Sequence, residues 1–307
     1  MSNSTVSTAW LVEHLDDRNV ILLDASMEMV LGKEPLIYDR LMCIPNAINM
    51  RLEQDFFNHD SVMSHAMPTA EQFTQAARKL GINQDSVVVI YDNQGIYSSP
   101  RAWWTFKVMG FEKVFVLDGG LPQWMAENLP TANQYLTPEL TGNVKAQQRA
   151  DLVCDSTSVL ATVNDCSTSD RSVNNKSRVS SSVLPSSASQ GSGTQGRTQV
   201  FDARAAARFN GTAPEPRAGV RSGHIPYSIN LPFAQVLDGV RLKPSAALQI
   251  IFNQLDENKA QKRIFSCGSG ITACILILAS TTSGHQNSAL YDGSWAEWGT
   301  NTRLPIV

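Results

Sequence analysis

The residue best placed to do chemistry in this 307-residue chain is Cys267. It stands in Phe265-Ser266-Cys267-Gly268-Ser269-Gly270-Ile271-Thr272-Ala273, where a short strand pattern meets a glycine-rich turn and then an apolar run, 271–279, suited to a buried helix. Gly268 and Gly270 lack the Cβ atoms that would stop the backbone from curling with its amides inward. Such a turn before a helix is an anion cradle. It favours a thiolate, the nucleophilic form of cysteine, over the thiol. The competing reading is an inert core cysteine, the usual fate of a free thiol. The Gly-Ser-Gly context separates Cys267 from Cys43, Cys154, Cys166 and Cys274. A tyrosine-phosphatase loop would carry an arginine about six positions on, to clamp phosphate bidentately. That position holds Ala273, so phosphate transfer is not expected.

At these residues the chain resembles the two-domain rhodanese-like sulfurtransferases, in their mercaptopyruvate-using branch. The loop from Cys267 to Thr272 is similar to that family's active-site loop, and it lacks the basic residues that thiosulfate-using members generally carry inside it. Further similarity lies at Gly223-His224-Ile225-Pro226, at Leu290-Tyr291-Asp292-Gly293-Ser294-Trp295 and at Val116-Leu117-Asp118-Gly119-Gly120-Leu121. It therefore covers both halves of the chain.

Stepping strands and helices must position such a loop. Ser7-Thr8 followed by 9–15 reads as a capped helix, and Val20-Ile21-Leu22-Leu23-Asp24 as a buried strand. A turn and strand follow at 44–49, a helix at 69–80, a strand at 87–91, a helix at 100–109 and a strand at 114–117. Alternation of this kind predicts a mainly parallel α/β sheet covered on both faces. The same order returns: Val200-Phe201-Asp202-Ala203 echoes Leu22-Leu23-Asp24-Ala25, residues 225–230 echo 44–49, and Asp292-Gly293 with Trp298 echoes Asp118-Gly119 with Trp124. The fold expected is thus a tandem pair of rhodanese-like domains. The first spans 1–140 and the second 151–307. Aligning the copies sets Asp92 opposite Cys267, so the first copy is expected to be catalytically silent. Residues 152–163 suit a short helix. Residues 166–198, rich in Ser, Asn, Gly and Gln, are expected to be a disordered insertion that cannot bury enough surface to fold.

Composition narrows the partners. A net charge of −3 and 17% charged residues offer no basic face for nucleic acid or an anionic membrane. The polar start 1–10 and the absence of a membrane-length apolar run predict a cytoplasmic protein. Five cysteines without close pairing point to reduced thiols rather than a disulfide framework or a metal site.

The resemblance implies the remaining roles. Cys267 is the nucleophile that takes sulfur, and the loop Gly268, Ser269, Gly270, Ile271 and Thr272 holds the resulting persulfide. Of Arg204, Arg208, Arg217 and Arg221, the similarity singles out Arg208 and Arg217 for the donor's carboxylate, a group the guanidinium fork fits. Their alternative is a solvated basic loop or pairing with Asp202 and Glu215. Ser269, His65 and an acid best matched by Glu53 form a relay for the proton, with His59 and Asp55 as neighbouring alternatives. Trp103, Trp104, Trp124, Trp295 and Trp298 read as packing residues. His224 is expected to fix the turn before Pro226. Tyr227 stands where the family has a small residue. The function implied is transfer of sulfur from 3-mercaptopyruvate through a Cys267 persulfide to cyanide or a thiol such as thioredoxin, with no cofactor and no metal. The alternatives are a thiosulfate:cyanide sulfurtransferase, and a non-catalytic persulfide carrier or redox-sensing module.

Overall fold

The computed structural model describes residues 4–176, 197–256 and 260–307. The first half contains β1 (Thr5–Val6), α1 (Thr8–His14), β2 (Val20–Asp24), β3 (Ile48–Asn49), α2 (Leu52–Asp55), α3 (Ala70–Lys79), β4 (Val87–Tyr91), α4 (Ser99–Val108), β5 (Val114–Leu117) and α5 (Gly120–Ala126). The second contains β6 (Val153–Cys154), α6 (Ser156–Lys176), β7 (Thr198–Asp202), α7 (Ala206–Phe209), β8 (Ile229–Asn230), β9 (Leu237–Asp238), β10 (Arg241–Leu242), α8 (Ser245–Leu255), β11 (Lys262–Ser266), α9 (Ala273–Thr282), β12 (Ser288–Tyr291) and α10 (Ser294–Trp298).

Each half builds one five-stranded parallel sheet, ordered β1-β5-β4-β2-β3 in the first and β6-β12-β11-β7-β8 in the second. The two orders correspond place for place, with β4 and β11 at the centre. Helices cover both faces, so the inner strands read as unbroken apolar runs rather than alternating ones. Helix starts follow from local chemistry: the Ser7 hydroxyl accepts the Trp10 amide at 3.1 Å, and Thr69 forms a capping box with Gln72 ahead of α3.

Two elements differ from the sequence reading. The helix expected at 271–279 begins only at Ala273, because the loop after Cys267 turns through Gly270 at a φ of +82° before the helix can start. The helix expected at 152–163 begins at Ser156, since Val153–Cys154 are drawn into the sheet edge beside β12, and it continues to Lys176, into the serine-rich stretch expected to be disordered. Residues 177–196 of that stretch lie outside the described residues, and Thr198 already belongs to β7.

The halves share their interior. In α4 every residue except Lys107 is buried, and in α9 Ala273 to Ser280 are buried. Helices apolar on all sides need a partner on each side. The two pack on each other across the domain boundary, in one core that joins Ile90, Trp104 and Phe106 to Phe265, Ile275 and Leu278. Separate outer cores sit behind each sheet around Trp124 and Trp298.

Each copy also reaches into the other through an equivalent aspartate. The β9–β10 hairpin of the second copy docks on Asp118, whose carboxylate accepts from the Leu242 amide at 3.1 Å and from Arg241 at 2.9 Å. At the corresponding Asp292, the visitor is the 58–69 loop of the first copy, with the Met67 amide 2.7 Å from the carboxylate.

Candidate active site

β11 delivers Cys267 one residue beyond its C-terminal end, at the sheet edge where open α/β folds bind ligands. The start of α10 pins the loop, with the Trp295 amide donating to the Cys267 carbonyl and the Ala296 amide to that of Gly268, each at 2.9 Å. The Cys267 amide donates to the Ser294 hydroxyl at 3.2 Å. Curling of the loop brings the Gly270 amide to 3.1 Å from Cys267 Sγ. The amides of Ser269, Ile271 and Thr272 have no acceptor among the described residues, which leaves them to bond an anion held in the loop.

Two of the four arginines face this loop. A Cβ at Gly268 would lie 3.3 Å from Nη2 of Arg208 and 3.9 Å from Nη1 of Arg217, so both guanidinium groups converge on the residue after the cysteine. Glu215 shares itself between Arg208 and Arg204. Arg217 has no carboxylate partner among the described residues, and its donors remain open to an incoming anion. The other two are structural. Arg204 is buried, pairs with Asp202 and lies 4.3 Å over the Trp295 ring. Arg221 donates to the carbonyls of Trp298, Gly299, Asn301 and Leu304.

His65 crosses from the first copy. Its Nδ1 is 2.9 Å from the Ser269 hydroxyl, and its ring leans on Phe57 at 4.9 Å between centroids. Burial first, then the charges of Arg101 and Arg217, push its pKa down to about 4, with Asp292 opposing them. The imidazole is therefore neutral near pH 7, one ring nitrogen donating and the other accepting. The acid expected beside it is not brought into contact. Glu53 lines the same cavity of about 330 Å³ as His65, but its carboxylate, on the short α2, is drawn to the Glu28 amide at 3.0 Å. The neighbouring alternatives are also turned elsewhere, Asp55 to Arg51 at 3.2 Å and His59 to the Gln54 carbonyl at 3.1 Å. No carboxylate among the described residues bonds the His65 ring.

The sequence reading missed Arg101. This residue of α4 is fully buried, and its guanidinium bonds the His65 carbonyl at 2.6 Å, the Asp292 carboxylate at 2.9 Å and the Gly270 carbonyl at 3.4 Å. A single arginine in a buried helix carries no motif, and the repeat and the family similarity that include Asp292 give it no partner. The other expectations fall into place as packing. Trp124 and Trp298 bond Pro130 and Pro305 carbonyls in equivalent fashion, and His224 stacks on Phe209 while bonding its carbonyl. Cys274 is buried, bonded to the Gly270 carbonyl, and pushed up to about 12 by burial. Among the described residues no group of His, Cys, Asp and Glu is arranged to hold a metal, and no helix is long and apolar enough to cross a membrane.

The sequence matches the rhodanese-like domain over residues 7–127 and again over 185–301. It is 34% identical over 307 residues to the thiosulfate/3-mercaptopyruvate sulfurtransferase 1, mitochondrial, of Arabidopsis thaliana, covering 99% of this chain and 78% of that one. It is 33% identical over 304 residues to the 3-mercaptopyruvate sulfurtransferase of Escherichia coli (strain K12), covering 98% and 96%. The fold superposes with a TM-score of 0.75 on the crystal structure of the Escherichia coli 3-mercaptopyruvate sulfurtransferase SseA, at 31% identity, over 96% of this chain and 99% of that one.

Proposed function

The chain belongs to the rhodanese-like family, in the tandem two-domain form, and on that premise we propose that it is a 3-mercaptopyruvate sulfurtransferase whose chemistry runs on Cys267. The observation that carries this reading is the convergence of Arg208 and Arg217 on Gly268, beside the thiol. A donor anchored there by its carboxylate presents its own sulfur to Cys267.

The Cys267 thiolate attacks the thiol sulfur of 3-mercaptopyruvate. A sulfur–sulfur bond forms, the substrate's carbon–sulfur bond breaks, and its electron pair stays on carbon as the enolate of pyruvate. The enolate takes a proton at that carbon and leaves as pyruvate, while the added sulfur remains on Cys267 as a persulfide. The substrate's thiol proton balances the proton consumed. Ser269, bonded to a neutral His65, is placed to pass it. The loop amides offer the persulfide a preorganised electrostatic site. An acceptor, cyanide or a thiol such as that of reduced thioredoxin, then removes the outer sulfur as thiocyanate or as its own persulfide and regenerates Cys267.

In this reading the second copy, residues 151–307, is catalytic, and the first, residues 1–140, is silent and supplies the opposite wall. The silence has a physical basis. Asp92 fills its own cradle, accepting from the amides of Tyr97, Ser98 and Ser99 and from the Ser99 hydroxyl at 2.6 to 3.0 Å. Cys43, Cys154, Cys267 and Cys274 are thiols, in keeping with the cytoplasm.

The test is intact-protein mass after brief exposure to 3-mercaptopyruvate, with pyruvate assayed in parallel, for the wild type and Cys267→Ser. One sulfur added to the wild type alone, matched by pyruvate, is expected. No added sulfur and no pyruvate would overturn the reading. Equal or better efficiency with thiosulfate would move the donor to that anion.

A further inference from the structure

Resting on the sulfurtransferase reading, we propose that Arg101 and Asp292 are positioning residues of the proton relay, a two-pronged clamp across the domain boundary that sets the His65 imidazole against Ser269. Neither residue touches the Cys267 sulfur. Both act through the loop that carries His65.

The geometry supports this in three ways. First, the clamp grips the loop at two points directly after the imidazole, one on each side of Ala66: Arg101 donates to the His65 carbonyl at 2.6 Å, and the Met67 amide donates to Asp292 at 2.7 Å. Arg101 also donates to Asp292, closing the ring, and to Gly270 within the cysteine loop. One guanidinium thus ties together the two loops that must meet, a task that its planar fork can do and a lysine's single point of charge cannot. Second, His65 has a φ of +59°, in the left-handed region that a side chain resists. Such a conformation persists where the surroundings over-determine it, and the two grips hold the backbone at that residue's own carbonyl and at the amide two residues on. Third, the clamp is placed where burial is expensive. Arg101 is fully buried and its Nε has no partner among the described residues, and a buried ion pair is weak evidence for stability in itself.

The molecule contains its own control. At the silent cradle the equivalent Asp118 holds the Leu242 amide with Arg241, an exposed hairpin residue, in the second position. The holding device is the same at both sites, but only the Asp292 copy grips a loop bearing a titratable ring. The charged and titratable groups facing that ring are Arg101 from α4, Arg217 from the loop after α7, Asp292 from the turn before α10, and Glu53 and His59 on the cavity wall behind it.

The experiment compares wild type, Arg101→Met, Arg101→Lys, Asp292→Asn and Asp118→Asn by kcat and KM with 3-mercaptopyruvate, and by NMR titration of His65, assigned through His65→Gln. Arg101→Met is expected to raise the His65 midpoint by a unit or more and to lower kcat at least tenfold, with donor KM within about threefold. Arg101→Lys keeps the charge, holds the midpoint near the wild-type value and recovers part of kcat. Asp292→Asn lowers kcat at least tenfold, whereas Asp118→Asn leaves kcat and the His65 midpoint unchanged. If Arg101→Met does not fold, the two isosteric asparagine variants carry the comparison. An unchanged His65 midpoint in Arg101→Met, or equal losses of kcat in Asp292→Asn and Asp118→Asn, would reduce the pair to a structural tie and overturn the proposal. The titration is read without turnover, so a wild type that releases no pyruvate would remove the sulfurtransferase reading and leave the clamp to be judged by the His65 midpoints.

Discussion

Asp92 and Cys267 occupy one position in two copies, each following the last residue of the central strand of its sheet, with its carbonyl bonded by an amide from the next α-helix but one, Leu121 and Trp295 respectively. In the first copy the side chain carries its own negative charge into the cradle. In the second the side chain is a sulfur, and most of the cradle is left open. Asp92→Asn keeps the shape but sets an amide NH2 against backbone donors. A loss of about 3 kcal/mol of stability is expected, measured by urea unfolding, with donor KM unchanged.

Arg217→Ala removes a guanidinium with no carboxylate partner among the described residues, and Arg208→Ala one that shares Glu215 with Arg204. Each is expected to raise donor KM, by about 30- to 150-fold for the loss of a charge-assisted contact of about 2 to 3 kcal/mol. Alkylation of Cys267 by iodoacetamide should proceed in both, and unchanged donor kinetics would favour a persulfide carrier.

Ser269→Ala and His65→Gln are each expected to lower kcat about 100-fold. Glu53→Gln should stay within about threefold of wild type, because that carboxylate is spent on the Glu28 amide. A loss in Glu53→Gln as large as in His65→Gln would require the 52–65 segment to rearrange when donor binds.

Protonation of His65 links stability to pH. Its pKa is pushed down to about 4 in the fold, against an ordinary 6.5. Between these values the unfolded chain binds a proton that the fold refuses, so stability is complete above pH 6.5 and is lost as pH falls toward 4. The upper limit is about 3 kcal/mol. Denaturant midpoints at pH 7 and pH 4.5 should differ less in His65→Gln than in wild type.

Tyr227 adopts a φ of +62°, as does Asn46, at +64°, in the same turn of the first copy. Asparagine tolerates that region and tyrosine does not. Tyr227→Asn is expected to stabilise the protein by about 1 kcal/mol, read as a rise in Tm.

How far the sequence could be read depended on how local each signal was. The strands 20–24, 87–91 and 114–117 match β2, β4 and β5 residue for residue, because a fully covered parallel strand is a short apolar run with polar ends. The two-residue edge strands β1 and β6 carry too little pattern to be recognised, and β6 displaced the start of the helix expected after it. At the site, Cys267 was legible from its glycines, and the arginine pair from similarity. Arg101 was not, since its partners Gly270 and Asp292 lie 169 and 191 residues away in sequence. Glu53 follows from similarity in the same way, and similarity says nothing of the Glu28 amide that engages its carboxylate.

The α4–α9 contact makes the two halves depend on each other. With their interiors merged, neither copy stands alone: either half produced by itself would turn a buried helix toward water and aggregate. The seam thus makes the α4 face of the first copy a condition for the folding of the second, whatever its own cradle holds.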